Sequence, residues 1–574
     1  MEGRIYIVPE PKRLEFRGKW FPFDGFENFP QFFSKEFSIP KGTWRINKLE
    51  KEGTGLEIRD KLVNIWGDEN ICYATIIQLL IQNKKMLPEV IIEEEFSFSF
   101  RGYHLDIARG GVPNLDTFKK ILKWLFLLKY NYFAIYFEDL FPWRKYPQIG
   151  ILRGRLKEEE LKEIIDFGKN LGIEVFPSLE LCGHMEHILS LPDFTKFSEW
   201  HRPQEGCLDV SNESAREFTY DLLSEVLEFF PSKYIHIGGD ETWALGRGRS
   251  LDKTGTFNGP FLFEMHHRNM INMVKDRGKI PVVWGDMLTG MYLREEEKEK
   301  WKIVLESDIW DDVVIANWDY TDLSYEHFEN KINMFGERKK KELACPGLSN
   351  WLRFYPNFDI ALGNLRNFLT SAKKEKLPGF LITAWGDDGS ECLFSFLDPL
   401  ILAGMEIAEG NGEWEEKWMA LSKEGEEIVR IRKVFGETFF SETIKRVVLG
   451  DFLFRYFTEV LGKNYQKGES TGDFWMDYYS KILGVLTNKE ELLKKYEELL
   501  EEIFPINLPE DLCFIREMLK VGISRLKGEL KVSDFIKLAN IYGKLWLSER
   551  KEEGLEYVIT KFWGAGGRID LKIK

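Results

Sequence analysis

A chain of 574 residues is too long for one hydrophobic core and divides into two to four domains. An apolar share of 44% and an aromatic share of 14% exclude a disordered chain. The balance of 94 acidic against 79 basic residues, a net charge of −15, argues against nucleic acid or an anionic membrane surface as partner and favours a neutral substrate. Six scattered cysteines, with no CxxC pair, read as reduced and mostly buried thiols. No stretch is long and apolar enough for a signal-peptide core or a membrane span, so the expected location is the cytoplasm.

In chain order, residues 1–98 read as a small α+β domain. Strand-like pieces lie at Leu14-Glu15-Phe16 and Thr43-Trp44-Arg45-Ile46, a helical stretch follows over 74–83, and 88–100 is a further strand region. From 99 to 410 a regular beat appears. Strand candidates at 100–107, 132–137, 173–179, 234–237, 280–284, 313–318, 344–348 and 380–385 alternate with amphipathic helices at 115–128, 158–171, 214–230, 261–277, 295–306, 323–335, 360–374 and 399–408. Strands joined by helical crossovers imply a parallel sheet, and eight such units imply a closed (β/α)₈ TIM barrel of the α/β class. Residues 411–574 show only helical periodicity, over 413–434, 441–461, 490–503, 508–526 and 534–550, and read as an α-helical domain. That domain is open to three readings: inert packing, a homodimer interface, or a lid over the barrel mouth.

The fourth strand runs into Gly238-Gly239-Asp240-Glu241. Two glycines free the backbone to turn, and two carboxylates stand where a barrel keeps its chemistry. Taken alone, the same run serves as a turn followed by a helix cap. The other strand ends decide, because they are polar and aromatic together: Asp106 and Arg109, Glu138-Asp139, Glu180 with Cys182-Gly183-His184, Trp284-Gly285-Asp286, Trp318-Asp319-Tyr320, the neighbourhood of Trp351, and Trp385-Gly386-Asp387. Indole walls with carboxylates and an arginine between them suit a sugar, whose C–H faces stack on the rings while its hydroxyls bond to charged groups. Adjacent acids rarely flank one glycosidic bond from opposite sides. They fit better a division of labour in which the substrate supplies the nucleophile.

His236-Ile237-Gly238-Gly239-Asp240-Glu241 resembles the H-x-G-G-D-E signature of glycoside hydrolase family 20, the β-N-acetylhexosaminidases. Arg101-Gly102-Tyr103-His104-Leu105-Asp106-Ile107-Ala108-Arg109 is similar to that family's R-G-x-x-L-D-x-x-R strand, and Cys182-Gly183-His184 stands where Pro-Gly-His is usual. The resemblance implies exo-hydrolysis of terminal β-linked GlcNAc or GalNAc, with retention of configuration and no cofactor or metal. It implies Glu241 as general acid/base and Asp240 as the group that holds and polarises the 2-acetamido arm while its oxygen attacks C1. Arg101 would grip the C3 and C4 hydroxyls, and His184, supported by Glu138 or Asp139, would lie near the acidic pair. Trp385 would underlie the ring, Asp387 take a distal hydroxyl, and Trp284 wall the acetamido pocket. Trp318-Asp319-Tyr320 departs from the family's pattern; Tyr320 is the candidate for the hydroxyl on the acetamido oxygen and Asp319 for a sugar contact. Asp106 and His236 complete the supporting set.

Two rival readings remain. A metal site assembled from His184, His187, Cys182, Cys207, Asp240 and Glu241 matches no common zinc spacing. A silent carbohydrate-binding barrel would have no need of the acid.

Overall fold

The computed structural model describes residues 4–289, 295–450, 469–470, 476–478, 480 and 489–567. The N-terminal part is a five-stranded sheet of β1 (Arg13–Pro22), β2 (Arg45–Lys48), β3 (Thr54–Arg59), β4 (Leu62–Trp66) and β5 (Met86–Glu94), in the order β1-β5-β3-β4-β2. Helix Glu69–Gln82 packs on it, capped by the Asp68 carboxylate, which accepts from the amides of Asn70 and Ile71. The β3–β4 hairpin has no counterpart in the expected elements. Its two-residue turn places Asp60 and Lys61 at φ 48° and 64°, a left-handed pair usually marked by Asn-Gly, and neither residue carries that signal.

The barrel is β6 (Phe100–Asp106), β7 (Tyr132–Tyr136), β8 (Glu174–Ser178), β9 (Tyr234–His236), β10 (Ile280–Trp284), β11 (Val314–Trp318), β12 (Glu342–Cys345) and β13 (Gly379–Ala384). Each strand pairs in parallel with the next, and β13 closes on β6. The expected seventh strand, 344–348, is displaced because Pro346 cannot donate to a ladder, so β12 ends at Cys345. Phe100, Tyr132, Phe176 and Tyr234 plug the lower end, Phe100 stacked on Tyr132 at 3.9 Å. Above them His104, Tyr136, His236 and Trp284 form a layer on which Trp385 rests. The interior is therefore filled, and only its upper rim is open to a ligand.

After helix Asp398–Glu409 the described chain is helical: Trp414–Ser422, Glu426–Gly436, Thr438–Leu449, Lys489–Ile503, Glu510–Lys527, Val532–Glu549 and Leu555–Gly567. The single helix expected over 413–434 is two, broken where Lys423 turns left-handed at φ 67°. Residues 451–461 of the helix expected over 441–461 lie outside the described residues. Leu555–Gly567 was not expected, since Gly564, Gly566 and Gly567 lower its helical propensity. Among the described residues no helix is long and apolar enough to cross a membrane.

Candidate active site

The turn after β9 can be made only with glycine. A Cβ on Gly238 (φ 71°) would stand 2.2 Å from Glu180 Oε2, and one on Gly239 (φ 103°) 2.6 Å from His267 Nε2. His236, buried under Trp284, accepts the Gly238 amide at 3.0 Å and so braces the turn. The turn buries Asp240 and leaves the Glu241 side chain 41% exposed at the mouth. Glu241 sits at φ 47°, pinned by its amide, which donates to Asp286 Oδ2 at 3.0 Å. His184 and Glu138 share that left-handed backbone, at φ 47° and 45°. Such residues cost on the order of 1–3 kcal/mol each and persist where the surroundings over-determine them.

His184 Nε2 lies 3.4 Å from Asp240 Oδ2 and 3.4 Å from Glu241 Oε2. Burial opposes charge on this imidazole, but the Asp240 carboxylate and hydrogen bonds to both acids raise its pKa well above the ordinary value. Burial likewise penalises the Asp240 carboxylate. The His184 charge and a hydrogen bond from Glu180 outweigh that penalty, and Asp240 titrates below the usual range. Glu180 moves the other way: burial and the Asp240 charge raise its pKa far above 4.5, so it is a neutral donor to Asp240. Its carboxyl also accepts from the Trp284 indole at 3.2 Å and the Gly239 amide at 3.3 Å. Asp286 is pushed up to about 7 by burial and the Asp240 charge; it accepts from the Trp318 indole at 3.2 Å. One ionised carboxylate, Asp240, is thus surrounded by groups that orient it.

The opposite wall is for binding. Arg109, Trp318, Tyr320, Trp351, Leu352, Trp385 and Asp387 join His184, Asp240 and Glu241 around a cavity of about 290 Å³. The Arg109 guanidinium is gripped by Asp106 Oδ2 at 3.1 Å and Glu138 Oε1 at 3.2 Å, and lies 5.4 Å over the Trp385 ring. Burial pushes the Glu138 carboxyl up to about 8, despite the nearby Arg109 charge. Asp106 also accepts the Gly386 amide at 2.8 Å, which ties β6 to the loop bearing Asp387. Tyr320 stacks on Trp318 at 5.0 Å, and its hydroxyl oxygen accepts from the Trp385 indole at 2.7 Å.

Four expected placements are corrected. Arg101 lies near the start of β6, at the closed end of the barrel; it donates to the carbonyls of Lys129 at 2.9 Å and Phe98 at 2.7 Å, and the arginine in the pocket is Arg109. Asp319 faces away from the pocket, where it accepts from Thr321, His327 and Lys331. Burial works against its charge, but the Lys331 ammonium and the His327 and Thr321 bonds bring it down to about 2. Asp139 pairs with Arg153, so the carboxylate near His184 is Glu138. Trp284 is wholly buried below the cavity, between His236 and Glu180, and does not wall it. Trp318, Tyr320, Trp385, Asp387, His184, Asp240 and Glu241 meet in the pocket as expected. Arg109, Glu180, Asp286, Trp351 and Leu352 carry no individual role in the resemblance; all but Leu352 fall at or near strand ends, the signal that marks them.

Of the six residues of the metal reading, His184, Asp240 and Glu241 meet, but Cys182, Cys207 and His187 do not join them in a ligand cluster among the described residues. Cys182 and Cys207 are buried thiols whose pKa burial pushes up. Glu138, His184 and Glu186 are the one trio with ligand atoms within 4.8 Å among the described residues, and two of them are already engaged by Arg109 and by Asp240.

Residues 98–327 match the model of glycosyl hydrolase family 20, catalytic domain. A β-hexosaminidase of Vibrio furnissii is 30% identical over 204 residues, covering 29% of this chain and 33% of the relative. A β-hexosaminidase of Porphyromonas gingivalis is 27% identical over 199 residues, covering 29% and 26%. The chain thus matches about a quarter to a third of the length of these relatives. Among solved structures, the Flavobacterium johnsoniae chitobiase shares the fold over 98% of this chain and 99% of its own, at a TM-score of 0.56 and 15% identity. The exo-β-N-acetylglucosaminidase of Vibrio harveyi does so over 75% and 78%, at a TM-score of 0.56 and 16% identity.

Proposed function

From the match of residues 98–327 to the glycosyl hydrolase family 20 catalytic domain, we propose that this protein is a retaining exo-β-N-acetylhexosaminidase that uses the substrate's own acetamido group as nucleophile. The observation that carries the reading is the single imidazole nitrogen of His184 shared by Asp240 and Glu241. Both acids leave the end of β9 as adjacent residues, on the side of the pocket away from Trp351 and Trp385, which suits a division of labour better than a nucleophile and an acid on opposite faces of one bond. Their environments separate their jobs. Asp240, buried and held ionised, is suited to accept the acetamido N–H and to stabilise positive charge as the acetyl oxygen closes on C1. Glu241, at the open mouth, is suited to protonate the departing oxygen and then to take a proton from the water that opens the oxazolinium ring.

The cavity, about 290 Å³, has room for one pyranose with its acetyl arm. Trp385 would underlie the ring, with Arg109 and Asp387 on its distal hydroxyls, and the Tyr320 hydroxyl would donate to the acetyl oxygen. These contacts favour terminal residues over internal ones. The test is hydrolysis of aryl N-acetyl-β-glucosaminide and -galactosaminide beside the plain β-glucoside, with a thiazoline mimic of the oxazolinium as inhibitor. The expected result is turnover confined to the acetamido sugars and blocked by the thiazoline. Comparable turnover of the plain glucoside, or indifference to the thiazoline, overturns the reading.

A further inference from the structure

The pocket wall opposite the acids rests on two loops with unusual backbone. Residues 349–357, after β12, carry Trp351 and Leu352; residues 385–392, after β13, carry Trp385 and Asp387. Ser349, Leu352, Asp388 and Ser390 lie at φ 49°, 61°, 64° and 52°, all left-handed and none glycine. Such a run needs outside support. The loops are joined to each other: Asn350 donates to the Trp385 carbonyl at 2.6 Å, and the Leu352 amide to the Asp387 carbonyl at 3.3 Å.

Support comes from beyond the barrel. We propose that helix Thr438–Leu449 sets the sugar-binding wall through two positioning residues, Glu442 and Lys445, each gripping one of these loops. Three apart on the helix, they share a face. Glu442, buried, accepts from Arg353 Nε at 2.6 Å and from Asn357 at 3.1 Å; Arg353 in turn donates to the Trp351 carbonyl at 2.8 Å. Lys445, also buried, donates to Asp388 Oδ2 at 2.6 Å and to Glu391. Lys561, from the last helix, donates to the Asp388 carbonyl and to Glu391, each at 2.6 Å, and the Tyr557 hydroxyl reaches Asp388 Oδ1 at 2.8 Å. Asp388 adjoins Asp387 and Arg353 adjoins Leu352, so each grip is one residue from a pocket side chain.

Buried ion pairs add little net stability, because desolvation offsets attraction, yet they fix one arrangement among several. Here the arrangement fixed is the width of the pocket. The helical part is thereby neither inert packing nor a lid alone: it holds the wall in register with the acids. This inference rests on the pocket being the sugar site.

The test uses the full chain with Glu442→Gln, Lys445→Gln and, as control, Ile444→Ala, whose side chain faces Gly522 on the far side of the helix. The two clamp variants are expected to raise KM for the aryl N-acetyl-β-glucosaminide about tenfold with kcat within about threefold, a displaced wall being costlier to binding than to chemistry. Amide hydrogen exchange should quicken in 349–357 and 385–392. Ile444→Ala should lower Tm and leave KM in place. Tyr557→Phe, a milder change at an exposed ring, decides the matter if the others do not fold, with an expected KM rise of about twofold. Unchanged KM and unchanged exchange, or an equal KM rise in Ile444→Ala, overturn the proposal. A wild-type protein inert on acetamido sugars sinks the function instead, while the exchange rates still decide the clamp.

Discussion

On one side of the barrel mouth, Glu180, His184, Asp240, Glu241 and Asp286 come from three consecutive strand ends and bond chiefly to one another. On the other, Trp351, Leu352, Trp385 and Asp387 ride on loops gripped from outside by Thr438–Leu449 and Leu555–Gly567. The first side needs buried charges whose ionisation is set by close partners, so it is built from neighbouring strand ends. The second needs a shape, which distant helices can adjust without touching the acids. Substitutions on the first side should therefore move kcat, and on the second KM.

The largest effect falls on the acids. Asp240→Asn should lower kcat by about 10²–10⁴ on every leaving group, whereas Glu241→Gln should do so on oligosaccharides and much less on activated aryl glycosides. A Glu241→Gln enzyme with full rate on oligosaccharides would place the acid elsewhere.

Next come the arginines. Arg109→Lys, losing the planar fork between Asp106 and Glu138, should lower kcat/KM by about tenfold or more, mostly through KM. Arg101→Lys should lower Tm and keep KM. If Arg101→Lys raises KM as strongly, its place at the closed end of the barrel does not describe its function.

A finer test concerns Glu180. As a neutral donor it should be replaceable: Glu180→Gln keeps a donor for Asp240 and an acceptor for Trp284, and kcat should stay within about threefold. Glu180→Leu should lose about tenfold or more by leaving both partners unpaired. Steady-state rates at neutral pH separate the two.

The smallest effect is on stability. Burial raises the folded Glu138 pKa from 4.5 to about 8. Folded Glu138 holds its proton where the unfolded chain has released it, so its contribution falls as the pH rises between those values. Glu138→Gln should flatten the decline of Tm between pH 5 and 8. An equally steep decline in the variant assigns it to other groups.

The eight-beat barrel was legible because each strand is an apolar run between amphipathic helices, and the paired acids because two glycines and a strand end announced them. Depth was harder to read. Arg101 and Arg109 belong to one motif, yet a strand rises about 3.3 Å per residue, so they lie at opposite ends of the barrel. Asp319 follows from alternation: with Trp318 and Tyr320 turned into the pocket, the residue between them must turn out. Glu180 was visible at a strand end, but its neutrality comes from Asp240, 60 residues away. Glu442 and Lys445 are buried against partners far off in the chain, which the helical periodicity of 441–461 does not announce.

The central claim is that the substrate, and no carboxylate of the enzyme, attacks C1. Its most direct test is kcat/KM along aryl β-glucosaminides bearing N-acetyl, N-fluoroacetyl, N-difluoroacetyl and N-trifluoroacetyl groups. Each fluorine drains electron density from the acyl oxygen. A steep fall along the series is the predicted result; rates that stay level would mean that an enzyme group is the nucleophile.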